Sequence, residues 1–303
     1  DTVMSFRSLQ PFRDRLFVVS TGIATDHLVN RNVAGDPTVY VSGDPASGDW
    51  VPASVRGFGD PCNTAITRLA VLGDCLYAGT TNPERGFQIW GTRAEGPPPY
   101  RWECILRDGA HRFNLNEMAP TMIAFQDALY ISSGLPAKGY DKVNDVGPAA
   151  AEVIRLYGDG RWDLVAGTPR FTPQGLKVPW SVLGPGLGDP CNSLIWSMAE
   201  HDGCLYMGSH NWGFWTDAGG APSGGFQLWA SRDGIRWTQV IPDGLGDCCQ
   251  YGIRSMVSTP YGLVLGTGSA GFRKHDLLAG RFHGDTGSPR GGTQVWLGRP
   301  STS

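Results

Sequence analysis

The sequence predicts an all-β fold, a five-bladed β-propeller whose blades are four-stranded antiparallel sheets. The first observation is a motif, Gly-x-Gly-Asp-x-x-Asn, at residues 57–63 and 186–192, with Gln in the last place at 244–250. The second is that a Leu follows the Asp of each copy at a constant distance and opens a strand containing Gly-Thr or Gly-Ser. The third is composition: 43 Gly and 22 Pro among 303 residues favour many short strands joined by turns. Repeats of this kind are typical of propeller blades.

The blades are aligned on one Leu in each repeat. These anchors are Leu16, Leu76, Leu129, Leu205 and Leu263. The distances between them vary, so the repeats differ in loop length rather than in their strands. We therefore predict one domain over residues 1–303, with approximate blade boundaries at 1–56, 57–112, 113–185, 186–243 and 244–303.

Each blade is predicted to run through four strands, a to d. Strand a follows the Asn of the motif, strand b contains the anchor Leu, strand c has the form Phe-Gln-Ile-Trp, and strand d carries a Trp. Turn sequences such as Arg232-Asp233-Gly234 separate them. The fifth blade has no evident strand d after Trp296, so it either closes with three strands or takes its fourth from residues beyond this sequence. The strands predicted for the third blade are 119–125, 129–132, 152–156 and 161–165.

Composition excludes several classes of function. A net charge of −3 and a pI of about 6.1 provide no basic surface, which argues against nucleic-acid and anionic-membrane partners. No apolar run reaches the ~20 residues that cross a bilayer. Seven Cys leave at least one thiol unpaired, and those at equivalent repeat positions are held apart by the blades. We expect a cytoplasmic protein with free thiols, although the start at Asp1 leaves a removed leader and secretion open.

The repeat unit also resembles a known group of proteins. The segment Ser231–Trp237 is similar to the Asp-box turn of sialidase-type bacterial propellers, one residue short. The whole unit resembles a bacterial repeat-propeller family that includes the propeller half of cyanobacterial cyclophane-forming alkylating enzymes. The resemblance covers residues 5–296 and lacks that group's acidic calcium-binding repeats. It implies the propeller fold and an enzyme for a small, partly aromatic, secondary-metabolite-like molecule, acting by cyclisation or C–C bond formation without a cofactor.

The loops place a site at one end of the predicted ring. Because strands alternate in direction, the d–a turns with the Asp-x-x-Asn motif and the b–c loops emerge on the same face. The b–c loops are 22–37, 81–85, 134–150, 210–224 and 268–290, and four of the five are long. Loops beyond ~12–15 residues in a compact domain are usually functional or disordered. We therefore predict a small-molecule pocket at this channel mouth.

Four amides occupy one position of the aligned repeats and are candidates for substrate binding. They are Asn63, Asn116, Asn192 and Gln250. The alternative is that such turn residues hold their own backbone in Asx-turns.

Departures from the repeat supply the candidate catalytic groups. Glu117 stands where other repeats have Thr64 and Ser193, and a carboxyl at a channel mouth serves as a general acid or base. Arg7 and Arg254 share one position in the first and fifth blades and are predicted to hold an anion. The alternative for these charges is an inter-blade salt bridge.

Aromatic side chains concentrate in one b–c loop. His210, Trp212 and Trp215 lie in a Gly-bounded insertion, with His210 as a second candidate for proton transfer and the Trp residues as a stacking surface. The alternative is that this loop only covers the blade edge. Three further residues are predicted to bind substrate, namely Tyr140, Tyr251 and Arg273.

A metal site is the weaker alternative to a cofactor-free pocket. Cys62, Cys191 and Cys249 share one repeat position and could bind a soft metal, but no Cys-x-x-Cys or His-Glu-x-x-His motif supports this. We predict neither metal nor cofactor.

Two other functions remain open beside the cyclase hypothesis. One is a carbohydrate-binding, lectin-like propeller, and the other is a glycoside hydrolase in which Glu117 pairs with Asp141 or Asp217. Every hypothesis requires the His210 loop and the Cys-Asn turns to lie at the same end of the molecule.

Overall fold

The computed structural model describes residues 5–22, 33–136, 139–213, 224–269 and 292–299. These residues form 21 β-strands and four single helical turns, at Arg56–Gly59, Asp108–His111, Phe113–Asn116 and Pro185–Gly188. The predicted all-β, antiparallel class is confirmed. None of the helices in these ranges is long and apolar enough to cross a membrane.

The strands form five successive antiparallel meanders. The first contains β1 (Ser5–Phe12), β2 (Arg15–Thr21), β3 (Val39–Ser42) and β4 (Val51–Pro52). The second contains β5 (Ala65–Leu72), β6 (Cys75–Thr81), β7 (Ile89–Thr92) and β8 (Glu103–Leu106). The third contains β9 (Met122–Phe125), β10 (Ala128–Ser132), β11 (Val153–Tyr157) and β12 (Trp162–Ala166), and is followed by the hairpin β13 (Arg170–Thr172) and β14 (Gly175–Lys177).

The last two meanders share one sheet. The fourth contains β15 (Asn192–His201), β16 (Cys204–Asn211), β17 (Leu228–Ser231) and β18 (Thr238–Ile241). The fifth contains β19 (Gln250–Thr259), β20 (Gly262–Ser269) and β21 (Val295–Gly298). A single pairing of His210 with Gly252 joins the two. The arrangement of the five meanders as blades of one ring stays a prediction.

The first strand of four meanders is interrupted at the same repeat position. The strand pairing shifts register at Arg7 in β1, Thr67 in β5, Trp196 in β15 and Arg254 in β19. A bulge bends the strand and redirects a side chain. The alignment on the anchor Leu therefore places equivalent residues correctly in these strands.

Hydrophobic clusters join each meander to the next. Phe17 packs with Ile66 and Leu76 between the first and second meanders, and Phe87 with Trp162 between the second and third. The two following interfaces are built in the same way, from Tyr130, Ile195 and Leu205 and then from Phe226, Ile253 and Leu263. Burial of these side chains supplies the main favourable free energy of folding.

A belt of main-chain contacts runs across the same meanders near the motif turns. It begins with the Thr64 N–H, which donates to the Thr81 carbonyl at 2.9 Å. Thr81 then pairs with Met118, Met118 with Gly134, and Gly134 with Leu194. We call this series the main-chain belt. It brings the loops after β6 and β10 next to the first strands of the third and fourth meanders.

Candidate functional site

The Asp of the repeated motif is the centre of a hydrogen-bond network within its own meander. In the fourth meander, Asp189 Oδ1 accepts the Cys191 N–H at 2.8 Å, which is an Asx-turn. Asp189 Oδ2 accepts the side-chain amides of Gln227 at 2.7 Å and Asn211 at 2.8 Å. The motif Asp of the second meander, Asp60, is held in the same way. This position is part of the framework.

The four aligned amides belong to the same networks. Their exposed fractions are 0–1%, and each is hydrogen-bonded, as when Asn63 Nδ2 donates to the Gly57 carbonyl and to Gln88 Oε1, both at 2.9 Å. Asn116 and Asn192 donate to the equivalent carbonyls of Gly109 and Gly186, both at 2.8 Å. Gln250 Nε2 differs and donates to Asp247 Oδ2 and to the Gly292 carbonyl, both at 3.2 Å. The geometry favours the Asx-turn alternative over substrate binding for this group.

Glu117 lies beside the main-chain belt and is only 5% exposed. Its carbonyl accepts the Asn82 N–H at 2.9 Å, but its Oε2 has no hydrogen-bond partner among the described residues. The hydroxyl of Thr81, the residue paired with Met118, is likewise buried without a partner in that part of the chain. Unsatisfied buried polar atoms are rare and require an explanation, such as a bound group.

A second carboxyl group lies close to Glu117. Asp141, in the loop after β10, is 7% exposed and its Oδ1 accepts the N–H of Val143 at 2.8 Å. Its other oxygen accepts the Asn144 amide. Burial and the negative charge of Asp141 raise the pKa of Glu117 to about 8. Two buried carboxyl groups therefore meet here, and Glu117 is protonated at neutral pH.

Aromatic rings cover the adjoining strands of the fourth and fifth meanders. Trp196 stacks on Tyr251 with ring centroids 5.8 Å apart, and His210 contacts both rings edge-on at 5.2 Å. Arg254 places its guanidinium carbon 4.8 Å from the Trp196 centroid. We call Trp196 and Tyr251 the aromatic wall. Sequence reasoning missed Trp196, although it shares the bulge position with Arg7 and Arg254.

His210 packs edge-on against both rings of the aromatic wall. Its Nδ1 lies 2.8 Å from the buried Ser193 hydroxyl, and burial lowers its pKa to about 4. The ring is therefore neutral near pH 7, and proton transfer by His210 is disfavoured. His210 does lie at the same end as the Cys-Asn turns, because the Trp212 N–H donates to the Cys191 carbonyl at 3.1 Å. The placement that every hypothesis requires is met.

Arg7, Arg68 and Arg254 lie on the first strands of the first, second and fifth meanders. Arg7 is half-buried, and burial together with the charges of Arg68 and Arg254 lowers its pKa to about 10. The predicted pair of Arg7 and Arg254 is thus extended by Arg68, which stands one residue beyond the bulge of β5. No signal in the alignment marked Arg68.

The remaining candidates fall into three groups. The Tyr140 hydroxyl donates to Asp145 in its own loop. None of the seven cysteines forms a disulfide. Cys62, Cys191 and Cys249 do not converge, because the described residues contain no group of three or more His, Cys, Asp or Glu placed to hold a metal. Trp215 and Arg273 lie outside the described residues.

Comparisons with known proteins give structural likeness only. No family model matches the sequence, and no curated protein matches it. A mutant α-L-arabinanase of Cellvibrio cellulosa is 14% identical, with a TM-score of 0.43 and 89% of each chain covered. A β-xylosidase designated RS223 is 12% identical, with a TM-score of 0.45 and coverage of 88% of this chain and 86% of that one. An α-L-arabinofuranosidase from Clostridium thermocellum is 14% identical, with a TM-score of 0.38 and coverage of 90% and 85%.

These findings correct the functional hypothesis. The prediction of cyclisation or C–C bond formation on a secondary-metabolite-like molecule is wrong, because the similar structures carry the names of glycoside-cleaving enzymes. The resemblance to the repeat-propeller family is untouched by these comparisons and stays a prediction.

Proposed function

We propose that this chain is a glycoside hydrolase, built as a five-bladed propeller, in which Glu117 is the general acid and Asp141 the second carboxylate. The observation that carries the proposal is a buried, protonated carboxyl group with an unpartnered oxygen beside a second buried carboxyl group. Most glycoside hydrolases use one pair of carboxyl groups in which one member has a raised pKa.

The two groups have complementary tasks in this reaction. Glu117 donates its proton to the glycosidic oxygen as the bond to the anomeric carbon breaks, so the leaving sugar departs as a neutral alcohol. Asp141 either takes a proton from the attacking water or attacks the anomeric carbon itself. In the second case water later releases the sugar, and Glu117 accepts its proton. This second route restores both carboxyl groups directly. In the first route Asp141 then releases its proton to solvent and Glu117 takes one up before the next turnover.

The aromatic wall supplies the sugar-binding surface. One face of a sugar ring carries apolar C–H groups, and this face stacks on an indole or a phenol ring. Trp196 and Tyr251 are stacked on each other and half-buried where the fourth and fifth meanders adjoin. Only the fourth and fifth meanders carry such rings at these positions, which favours one asymmetric site over repeated ones.

The test uses aryl glycosides of pentoses, hexoses and uronic acids that differ in the acidity of the phenol. With a poor leaving group, Glu117→Gln is expected to reduce kcat/KM by roughly 10²- to 10⁴-fold, the usual contribution of acid catalysis. With an acidic phenol the loss should nearly vanish, because that phenol departs without protonation. Asp141→Asn should reduce the rate for both substrates.

Glu84→Gln is the matched control, since Glu84 is an exposed carboxylate in the loop after β6, and its rate should equal that of the wild type. Equal losses for good and poor leaving groups in Glu117→Gln would reject its role as the acid.

The second candidate is a carbohydrate-binding protein without hydrolytic activity, which the aromatic wall alone would support. Saturable binding of sugars by the wild type, with no turnover of any aryl glycoside, would favour this candidate.

A further inference from the structure

The hairpin β13–β14 borders a cavity that the hydrolytic pair does not use. Among the described residues, only the third meander is followed by such a hairpin. The hairpin is held against β12 and the turn before it, because Gln174 Nε2 donates to the Gly160 carbonyl at 3.0 Å and Lys177 Nζ donates to the Trp162 carbonyl. Residues within 155–163 and 174–180 line a cavity of about 640 Å³, which we call the hairpin cavity. Its volume lies within the ~300–1,000 Å³ that is typical of small-molecule pockets.

The hairpin cavity lies at the other end of the third meander from the hydrolytic pair. Tyr157 lines the cavity and pairs with Ala128, the first residue of β10. Asp141 lies in the loop that follows the last residue of β10, and Glu117 lies beside the main-chain belt that contacts this loop. A ligand in the hairpin cavity would therefore leave Glu117 and Asp141 accessible.

The polar groups of the cavity include both donors and acceptors, and most of their charges are paired. Asp163 Oδ2 accepts Arg155 Nη2 at 2.9 Å and the Tyr157 hydroxyl at 3.0 Å. Arg161 Nε donates to Asp159 Oδ2 at 2.6 Å. Hydroxyl groups of a ligand can donate to these carboxylates and accept from these guanidinium groups, because carboxylate oxygens and guanidinium groups each take part in several hydrogen bonds. A charged ligand would compete with one of the existing ion pairs.

Lys177 is the remaining cation of the cavity, and its ammonium group has other partners. Its Nζ donates to the Trp162 carbonyl, lies 3.4 Å from Gln174 Oε1 and lies 4.8 Å from the Trp162 ring centroid. Burial lowers the pKa of Lys177. These contacts occupy the donors of the ammonium group, so the cavity favours a neutral ligand over an anion.

An exposed indole supplies the apolar part of the site. Trp180 lines the cavity and is 57% exposed, whereas Trp side chains are mostly buried in folded proteins. The other Trp of the cavity, Trp162, is 1% exposed and packs in the core. An exposed aromatic ring beside paired donors and acceptors matches the two surfaces of a sugar, its apolar C–H face and its hydroxyl groups.

We propose that the hairpin cavity is a second glycan-binding site that takes a neutral oligosaccharide. Trp180 stacks on a sugar ring, and Gln174 with the two ion pairs binds the hydroxyl groups. The site would hold a glycan chain apart from the hydrolytic pair. The statement that the bound glycan is also the substrate rests on the proposed function, whereas the binding itself is a separate property of the cavity.

Binding is tested in the Glu117→Gln protein, so that no turnover interferes. Neutral oligosaccharides of glucose, xylose and mannose are titrated while hydrogen exchange is followed by mass spectrometry, with an oligogalacturonate as the acidic comparison. We expect a neutral oligosaccharide to slow exchange in residues 157–162 and 174–180 in a saturable manner, which gives the affinity at this cavity alone. Trp180→Ala should weaken that binding by roughly 10-fold or more, and Gln174→Ala by roughly 2- to 10-fold.

Phe171→Ala is the matched control, because Phe171 is an 84% exposed ring on the same hairpin and does not line the cavity. It should bind the oligosaccharide as the Glu117→Gln protein does. The melting temperatures of Trp180→Ala and Phe171→Ala should equal that of the same protein, since both side chains are exposed. Equal losses of binding in Trp180→Ala and Phe171→Ala would assign the effect to the fold of the hairpin and overturn the inference.

The remaining outcomes separate the two proposals. Exchange that no neutral oligosaccharide slows at these residues, or that the oligogalacturonate slows at lower concentration, overturns the inference and leaves the hydrolase proposal intact. Saturable slowing by a neutral oligosaccharide, without turnover of any aryl glycoside by the wild type, supports the inference and removes the hydrolase proposal.

Discussion

A single residue distinguishes the third meander from the others just after the motif turn. Glu117 occupies the position of Thr64, Ser193 and Tyr251, and none of those side chains can exchange a proton at neutral pH in this way. Its environment raises its pKa, because burial and the negative charge of Asp141 both destabilise the carboxylate form. The result is a carboxyl group that stays protonated near neutral pH.

The first prediction concerns the stability that this protonation confers. Since the folded protein retains a proton that the unfolded chain releases, the free energy of unfolding should fall as the pH rises from about 4.5 towards 8. The total loss is on the order of a few kcal/mol. Glu117→Gln mimics the protonated form and should remove this fall. Urea denaturation of both proteins across the window measures it, and a difference between them that does not grow with pH would contradict the prediction.

His210 is predicted to act in the opposite direction. Its pKa is lowered from 6.5 to about 4, so the folded protein resists a proton that the unfolded chain accepts. Stability should be complete above pH 6.5 and fall as the pH approaches 4, by roughly 3 kcal/mol at most. His210→Asn should be less stable at neutral pH but nearly free of this acid dependence. If the variant keeps the wild-type slope, another group is responsible.

At the scale of the element, the positions of the repeated motif could be predicted from the sequence, but the structural role of its side chains could not. The constant distance from Asp to Leu located β5, β15 and β19, because register in a strand fixes every following side chain. The same alignment suggested a ligand-binding ring of amides. Sequence cannot show whether an amide turns outward or back to its own meander, since both choices use the same residue.

The third meander shows most clearly what an alignment of the repeats cannot predict. Asn116 was aligned correctly, but its partner is Glu152 rather than a Gln, at 2.9 Å. Glu152 is fully buried and is paired with Arg170 at 2.9 Å and Arg112 at 3.5 Å. Arg170 comes from the hairpin after β12, outside the repeat unit, so no alignment of repeats could supply it.

The third prediction compares two copies of the motif Asp. Asp189→Ala removes the acceptor of two side-chain amides and one N–H, and should cost about 3 kcal/mol because buried donors lose their partner. Asp247→Ala removes the Cys249 N–H contact at 2.9 Å and a weaker Gln250 contact at 3.2 Å, so its cost should be about half. Chemical denaturation of both variants measures the difference, and equal losses would contradict this account of the network.

At the scale of the whole molecule, the described residues provide four hydrophobic interfaces for five meanders. The clusters join the first to the second, and so on to the fifth, but none in these ranges joins the fifth to the first. Phe6 and Leu9 on β1 are 54% and 58% exposed, and Val257 on β19 is 56% exposed. Repetition in the sequence predicted five units, the fifth without an evident fourth strand, but it does not show how the two terminal units meet.

The fifth meander should therefore open most easily. Amide exchange of β19–β21 is expected to occur through local opening at a lower free energy than exchange of β5, β6 and β10, whose meanders pack on both sides. Hydrogen exchange followed by mass spectrometry measures this order. Phe87→Ala, in the interface of the second and third meanders, should cost about 3–5 kcal/mol, whereas Phe6→Ser should change stability by less than ~0.5 kcal/mol.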